Sequence, residues 1–212
     1  MITGYFGVPG CGKTTILARI AQKELRRIRK GKSCYDHVLT NFYCEGCEQI
    51  QLLDLKDFKV KRALILLDEV TLDADSRSFK SFPLGVKEFI IMHRHVFCDI
   101  VYFCQDYSRV DKTFRELTSD LWYCRKPVLP FFRRFTICRK IFRNISINEF
   151  TSDLVLGYRF SKFLERIFMP CAKIIYRPRW YKYFDSFDEG CLADRPDFSY
   201  EKWNYLPPPE SL

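Results

Sequence analysis

A glycine-rich string close to the amino terminus constrains the fold of this chain more than any other feature. The string GVPGCGKT at positions 7–14 satisfies the pattern G-x-x-x-x-G-K-[S/T], and a short β-prone run, ITGYF, precedes it at 2–6. Apolar residues at helical spacing follow it: Ile16, Leu17, Ile20, Ala21, Leu25 and Ile28. Gly31, within the basic stretch RRIRKGK, is expected to end that helix. A strand, a glycine loop and a helix in this order predict a phosphate-binding loop at a helix N-terminus.

Each residue type in this loop has a predicted role in binding ATP with Mg²⁺. The glycines let the backbone curl, so that successive N–H groups face phosphate oxygens. Lys13 is predicted to reach the β- and γ-phosphates, Thr14 to bind Mg²⁺ through its hydroxyl, and Thr15 to lie near the α-phosphate. The predicted nucleotide-binding residues are Gly7, Val8, Pro9, Gly10, Cys11, Gly12, Lys13, Thr14 and Thr15.

Two carboxylates follow a second apolar run. The residues ALILL at 63–67 are typical of a strand buried on both faces, and Asp68 and Glu69 come directly after them. Asp68 is predicted to complete the protein ligands of Mg²⁺, and Glu69 to polarise the attacking water. The alternative for Glu69 is a solvated or helix-capping carboxylate.

A third apolar run, DIVYFC at 99–104, ends at Gln105. We expect its amide at the carboxyl edge of the sheet, where open α/β folds bind ligands, and predict that it senses the γ-phosphate. An arginine that stabilises transition-state charge, within the chain or across a subunit interface, would complete the site. The candidates are Arg77, Arg94 and Arg115, of which we assign Arg115, although each also fits a surface ion pair.

The alternation of strands and helices predicts an α/β fold of the P-loop NTPase type, with a mainly parallel sheet flanked by helices. Besides the run at 2–6, strands are predicted at 37–42, 63–67, 99–104 and 121–124. Besides the helix after the glycine loop, helices are predicted at 84–95 and 112–117.

The residue composition changes after Pro127, and this change predicts an appendage. The segment FFRRFTICRKIFRNISI at 131–147 alternates aromatic and basic residues, which favours an antiparallel β-hairpin with one basic face, and a helix is predicted at 154–168. We expect an ATPase domain at 1–190, with its core at 1–126 and this extension at 127–190, followed by an extended, proline-containing tail at 191–212.

The charge balance favours a polyanionic partner. Lysine and arginine number 35 against 26 acidic residues, a net charge of +9. Nucleic acid and the anionic surface of a membrane both fit this charge, and so does a solvated basic face with no specific partner. The basic and aromatic segment at 131–147 and the string RPRWYK at 177–182 carry the same alternatives. Because no apolar run approaches the roughly 18–20 residues needed, no transmembrane helix is predicted.

The ten cysteines form no disulfide framework, and no signal peptide precedes the glycine loop, so reduced thiols and a cytoplasmic location are expected. The string CEGC at 44–47 has the spacing of half a zinc site, but we interpret it as a pair of reduced loop cysteines. Cys11 is expected to be a small filler in the loop, the alternative being a thiol whose oxidation blocks nucleotide.

Taken with further short strings, these motifs resemble the zonular occludens toxin-like family, which includes the filamentous-phage (inovirus) assembly ATPases and is related to the FtsK-HerA class of motor ATPases. The resemblance runs from about Ile2 to Glu189. Beyond the glycine loop and LILLDE, it rests on TNF at 40–42, HRH at 93–95, DIVYFCQ at 99–105, Asp111, Arg115 and YFDSF at 183–187.

The resemblance implies a motor at the cytoplasmic face of the host inner membrane. Such a motor hydrolyses ATP to strip a packaging protein from single-stranded phage DNA and to extrude the DNA with coat subunits. It implies a homo-oligomeric ring, such as a hexamer, and a membrane protein partner. Two other functions stay open from the residues alone: a nucleotide or small-molecule kinase, and a noncatalytic, nucleotide-gated adaptor of a secretion pore.

Overall fold

The computed structural model describes residues 1–57, 59–70, 84–127, 130–147, 154–161 and 171–184. Within them, nine strands form one sheet. The strands are β1 (Ile2–Gly7), β2 (His37–Thr40), β3 (Glu48–Gln49), β4 (Ala63–Leu67), β5 (Asp99–Cys104), β6 (Thr118–Arg125), β7 (Phe135–Ile147), β8 (Leu154–Phe160) and β9 (Ala172–Tyr176). The helices are α1 (Lys13–Arg29), α2 (Leu84–Met92) and α3 (Lys112–Leu117), and short 3-10 segments lie at Leu52–Asp57, Tyr107–Arg109, Pro130–Phe132 and Pro178–Tyr183.

The strand order places a parallel half beside an antiparallel extension. The order is β3-β2-β4-β5-β1-β6-β7-β8, with β9 paired to β7. Neighbouring strands from β3 to β6 run parallel, whereas β7 runs antiparallel to β6, β8 and β9. The predicted α/β fold with a mainly parallel sheet is confirmed. In this order β5 lies between β4 and β1, which leads into the glycine loop.

Helices pack on both faces of the parallel half, as parallel sheets require. On one face, Leu17 of α1 is buried in a cluster with Leu66 and Phe103 from the strands. On the other face, Phe89 of α2 and Phe114 of α3 are fully buried. All five residues of β4 are buried. Each large apolar side chain buried in this way stabilises the fold by roughly 1.5–3 kcal/mol.

The sequence signals at both ends of α1 are local and are confirmed. The helix begins at Lys13, directly after the last glycine of the loop, and ends at Arg29. Gly31 then adopts a φ of 61°, a left-handed conformation that stops the helix. Arginines in the last turn oppose the negative end of the helix dipole.

The extension differs from its prediction. Of the residues 131–147 predicted as a hairpin, those from Phe135 onward form one long strand, β7, whose antiparallel partners are β6, β8 and β9. The helix predicted at 154–168 is wrong where the structure describes it, because Leu154–Phe160 forms β8 and pairs with β7 along its whole length. Gly157 disfavours a helix there, and the β-branched and aromatic residues of the run favour a strand. The rest of that segment, apart from Ser161, and the tail at 191–212 lie outside the described residues.

Two predicted elements end earlier than expected, each for a local reason. β2 ends at Thr40 because the Thr40 hydroxyl donates to the Phe42 carbonyl at 2.7 Å and turns the chain. α2 ends at Met92, where a turn is closed by the His95 N–H donating to the Met92 carbonyl at 2.8 Å. Within the described residues, no helix combines the length and apolarity that crossing a membrane requires.

Candidate nucleotide-binding site

The glycine loop at 7–14 curls as predicted at the point where β1 leads into α1. Gly12 has a φ of 92°, which glycine adopts without the strain that a side chain would bring. A side chain at Gly7 would collide with the backbone carbonyl of Cys124 at the end of β6. Because α1 begins at Lys13, the backbone of the loop and the positive end of the helix lie together at the carboxyl edge of the sheet.

A pair of oxygen-bearing side chains joins this loop to the end of β4. Thr14 Oγ1 donates to Asp68 Oδ2 at 2.8 Å. Asn41 holds the backbone of Asp68 on both sides: its Nδ2 donates to Asp68 O at 2.8 Å, and its Oδ1 accepts from Asp68 N at 2.7 Å. Asn41 was assigned no role from the sequence. The available signal was its place in TNF, directly after a strand that ends at this edge.

The Glu69 carboxylate lies between the loop lysine and the predicted sensor. Its Oε1 forms an ion pair with Lys13 Nζ and accepts a hydrogen bond from Gln105 Nε2 at 2.8 Å. Glu69 adopts a φ of 53°, an uncommon conformation for a residue with a side chain and one that is often found at functional sites. The sheet order explains the meeting, because β5 carries Gln105 to a position between β4 and β1.

Burial shifts the pKa of two charged groups toward the neutral form. It raises the pKa of the Asp68 carboxyl, while the hydrogen bond from Thr14 and the charge of Lys13 act in the opposite direction. It also lowers the pKa of Lys13, and the charge of Asp68 opposes that change. Each group therefore helps to keep the other ionised, and removal of either would favour the neutral form of its partner.

The side chains beside the loop fit a magnesium ion. A threonine hydroxyl and a carboxylate are the oxygen ligands that Mg²⁺ prefers, and a pair of protein ligands leaves room for phosphate oxygens and water. A buried carboxylate with a raised pKa also gains from a divalent cation, because a nearby positive charge favours its ionised form. Thr14 and Asp68 are thus suited to hold Mg²⁺ beside the phosphates of a nucleotide.

A protein-family model described as zonular occludens toxin (Zot) matches residues 13–153, well over half of the chain. The chain belongs to the Zot family. The match begins at Lys13 of the glycine loop and includes both carboxylates, Gln105 and all of β7.

The fold of this Zot-family chain resembles that of a solved Zot domain. The N-terminal domain of zonular occludens toxin from Neisseria meningitidis superposes with a TM-score of 0.53 at 16% identity, over 78% of this chain and 96% of its own. The genome packaging NTPase B204 from Sulfolobus turreted icosahedral virus 2, in complex with ATP-gammaS, gives a TM-score of 0.44 at 9% identity, over 73% of this chain and 95% of its own. No curated protein matches the sequence.

The arginine candidates of this Zot-family chain do not join the other predicted catalytic residues. Arg115 lies near the start of β6, which pairs with the start of β1 at the opposite edge of the sheet. There its backbone carbonyl accepts hydrogen bonds from Tyr107 Oη and from Arg143. Arg94 lies in the turn that precedes β5, at the same amino edge, and Arg77 lies outside the described residues. A role for Arg115 on the nucleotide of a neighbouring subunit stays a prediction.

The cysteines of the Zot-family chain lie mostly in its interior. Cys11 is fully buried inside the glycine loop, and burial raises the pKa of its thiol to about 11. Such a thiol is a poor nucleophile, which agrees with its predicted role as a filler. In the part of the chain that the structure describes, no group of three or more His, Cys, Asp or Glu side chains could hold a metal ion, and this includes the CEGC string.

Proposed function

We propose that this Zot-family chain is a Mg²⁺-dependent ATPase that drives the assembly of filamentous phage and the extrusion of its single-stranded DNA. The observation that carries this proposal is the placement of Glu69. Its carboxylate contacts the ammonium group of Lys13 and accepts from the Gln105 amide, so it lies where the γ-phosphate and an attacking water would meet. A hydrolase needs a carboxylate at this point, whereas a kinase needs room for an acceptor.

Each side chain of the site has a separate task in ATP hydrolysis. The N–H groups of the loop bind phosphate oxygens, and Lys13 binds the β- and γ-phosphates as a point charge. Thr14 and Asp68 would hold Mg²⁺, which supplies positive charge to the β- and γ-oxygens when bound. Asn41 keeps Asp68 in place through its two backbone hydrogen bonds.

The hydrolytic step depends on Glu69 and Gln105. Glu69 accepts a proton from the attacking water or orients it in line with the γ-phosphate. The ion pair with Lys13 must open for this, because the ammonium then turns to the phosphates. Gln105 donates to the same carboxylate oxygen, and this hydrogen bond links the position of Glu69 to the end of β5.

Family membership and the surface of the extension support the assembly role. The extension exposes large aromatic side chains, among them Phe131, Phe132, Tyr158, Phe160 and Tyr176, and the exposed Arg133 and Arg134 directly follow Phe131 and Phe132. Rings and cations at one surface suit a single-stranded polyanion, because bases stack on rings and phosphates pair with arginine. We propose a homo-oligomeric ring at the cytoplasmic face of the host inner membrane, with phage DNA or its coat and packaging proteins as the load.

Phosphate release from ATP, measured with Mg²⁺ and without an added acceptor, tests the enzymatic part. Steady release supports an ATPase, turnover only with an acceptor substrate would identify a kinase, and tight binding with negligible turnover even in the assembled state would identify an adaptor. Mass in solution with ATP and Mg²⁺ tests the ring. A species of hexamer mass supports a motor, and a monomer at all concentrations contradicts it.

A further inference from the structure

Two strands of the extension reach the glycine loop of the parallel half. β7 pairs with β6 so that Cys138 lies opposite Cys124, and Cys124 in turn lies opposite Gly7 of β1. Because β7 runs antiparallel to β6, its first residues lie at the carboxyl edge. β9 pairs with the same part of β7 and ends there as well, with Tyr176 opposite Phe135. The extension therefore meets the loop at the edge that carries the site.

Thr136, the second residue of β7, binds the backbone of this loop. Its side chain is 0% exposed, and its Oγ1 donates to the carbonyl oxygen of Cys11 at 2.5 Å. In a trans peptide unit the carbonyl and the following N–H point in opposite directions. A hydrogen bond that holds the Cys11 carbonyl toward β7 therefore turns the N–H of Gly12 away from β7.

Arg177, the residue after β9, binds the carbonyl of Gly10, which precedes Cys11 in the loop. Its Nη1 donates to Gly10 O at 3.4 Å, and its Nη2 donates to the carbonyl of Arg133. The backbone N–H of Arg177 donates to the Arg134 carbonyl at 2.9 Å, which fixes the start of the side chain. The methylene Cδ lies 2.7 Å from the point that a Cβ on Gly12 would occupy, so it packs directly on the loop.

The loop contains an internal turn that these contacts support. Cys11 N donates to Val8 O at 3.2 Å. The N–H of the peptide unit between Gly10 and Cys11 therefore points into the loop. Arg177 donates to the carbonyl of that unit, which is Gly10 O. Thr136 donates to the carbonyl of the next unit, which is Cys11 O. Two consecutive peptide units of the loop are thus oriented by residues that lie more than a hundred positions away in the chain.

We propose that Thr136 and Arg177 are positioning residues of the nucleotide site, which hold the loop in the shape that binds phosphate. This inference rests on the proposed binding of ATP. The extension is then a structural part of the site, and the parallel half up to residue 126 does not form a complete one. Neither residue touches a reacting atom, so their effect is expected on the binding of ATP more than on the rate of the chemical step.

Thr136→Val removes the hydroxyl and keeps the shape of the side chain. We expect it to raise the Kd and KM for ATP roughly five- to tenfold, the loss that corresponds to one hydrogen bond, while kcat changes less. Thr136→Ser restores the donor and should bring both constants back toward those of the wild type. Arg177→Met keeps the packing on Gly12, loses the donor to Gly10, and should raise KM in the same way.

Thr118→Val is the matched control. Thr118 is also a buried threonine whose Oγ1 donates to a backbone carbonyl, that of Phe114, at 2.6 Å, but it lies at the far edge of the sheet. It should lower the melting temperature without changing the Kd for ATP. The inference is overturned if Thr136→Val and Arg177→Met bind ATP as the wild type does, or if Thr118→Val weakens binding equally. A wild-type chain that fails to bind ATP overturns the proposed function instead.

Discussion

The parallel half and the extension of this molecule use charged side chains in different ways. In the parallel half, Lys13 pairs directly with the carboxylate of Glu69, and both side chains are at least partly buried. In the extension, Arg133 and Arg134 are exposed, and the nearby Phe131 is 94% exposed. One region therefore fixes its charges against each other, and the other presents charges and rings to solvent.

This difference matches two kinds of task. Hydrolysis needs groups held at fixed distances in a site that excludes bulk water, because only then do they stabilise the transition state strongly. A surface that holds a long polyanion needs exposed cations and rings that tolerate many positions of the ligand. β7 belongs to both regions, since Thr136 at its start contacts the loop and Arg139 lies further along the strand. β7 therefore connects the surface proposed to bind DNA or protein with the glycine loop.

Lys13→Ala gives the largest expected effect and tests the parallel half alone. It removes the point charge for the β- and γ-phosphates, so turnover should fall roughly a hundredfold or more and ATP binding should weaken. Phosphate release and nucleotide titration measure the two effects. Lys30→Ala, at the exposed end of the same helix, is the control and should behave as the wild type. If Lys13→Ala hydrolysed ATP at the wild-type rate, the assignment of the nucleotide site would be wrong.

Glu69→Gln separates binding from chemistry within the same site. The amide oxygen of glutamine can still accept from Gln105, but the side chain cannot take a proton from water. We expect ATP to bind with near wild-type affinity and to remain uncleaved, with turnover lowered roughly a hundredfold or more. Single-turnover measurement of bound nucleotide checks this. Loss of affinity as severe as that of Lys13→Ala would show that Glu69 holds phosphate and that its assigned role is wrong.

The same division separates what the sequence could predict from what it could not. The loop, its helix and the residues after β4 and β5 follow from local strings, and the shared edge of parallel strands brings Asp68, Glu69 and Gln105 to the loop. Thr136 could not be assigned, because its partner is Cys11 and only the pairing of β7 brings the two together. No local pattern specifies such a long-range pairing.

The wrong helix in the extension has a related cause. The run that forms β8 carries apolar residues whose spacing fits a helix, and short runs of this kind are ambiguous by periodicity. The long edge of β7 decides the matter, because β8 gains a full ladder of hydrogen bonds by pairing with it. Tertiary context of this kind overrides local propensity in strands more readily than in long helices.

The triple variant Arg133→Glu, Arg134→Glu and Arg139→Glu tests the extension. It should weaken association with single-stranded DNA or anionic vesicles while sparing the fold, because Arg133 and Arg134 contact Arg177 through their backbone carbonyls. Arg139 loses only the contact of its side chain with the Phe160 ring. If three phosphate contacts are lost, the slope of log affinity against log salt should become shallower by about 2 for single-stranded DNA. Titration of a labelled oligonucleotide at several salt concentrations measures this.

The control for that experiment changes net charge by the same amount elsewhere, as Lys30→Glu, Lys32→Glu and Lys61→Glu. Binding to DNA but not to anionic vesicles favours a DNA-binding surface, and binding to anionic vesicles alone favours a membrane-binding surface. If the extension variant binds both polyanions as well as the wild type does, at equal salt and with an unchanged melting temperature, the basic face of β7 is an ordinary solvated surface. The proposed contrast between the two regions would then fail.

The smallest expected effect concerns His93, at the amino edge of the parallel half. It is 4% exposed, and its Nδ1 lies 2.7 Å from the Ile90 carbonyl, which accepts the ring proton. Burial lowers its pKa, and the hydrogen bond to the Ile90 carbonyl acts in the opposite direction. The amino terminus and Arg94 also lower the pKa, and Asp99 raises it, each to a smaller extent.

The folded chain therefore binds this proton less tightly than the unfolded chain does. The stability that neutral His93 contributes is present above the unfolded pKa of about 6.5 and is lost as pH falls from there through the lower folded pKa. His93→Asn keeps a donor near Nδ1 and removes the titration. The free energy of unfolding should fall more steeply for the wild type than for the variant between pH 7 and pH 5, by at most about 1.4 kcal/mol per pH unit for one proton. Urea unfolding at several pH values measures this difference, and phosphate release at pH 7 should be unchanged, because this edge lies opposite the loop. Parallel pH profiles for the two chains would show that His93 carries no such linkage, and lost turnover would place the HRH string in the catalytic site.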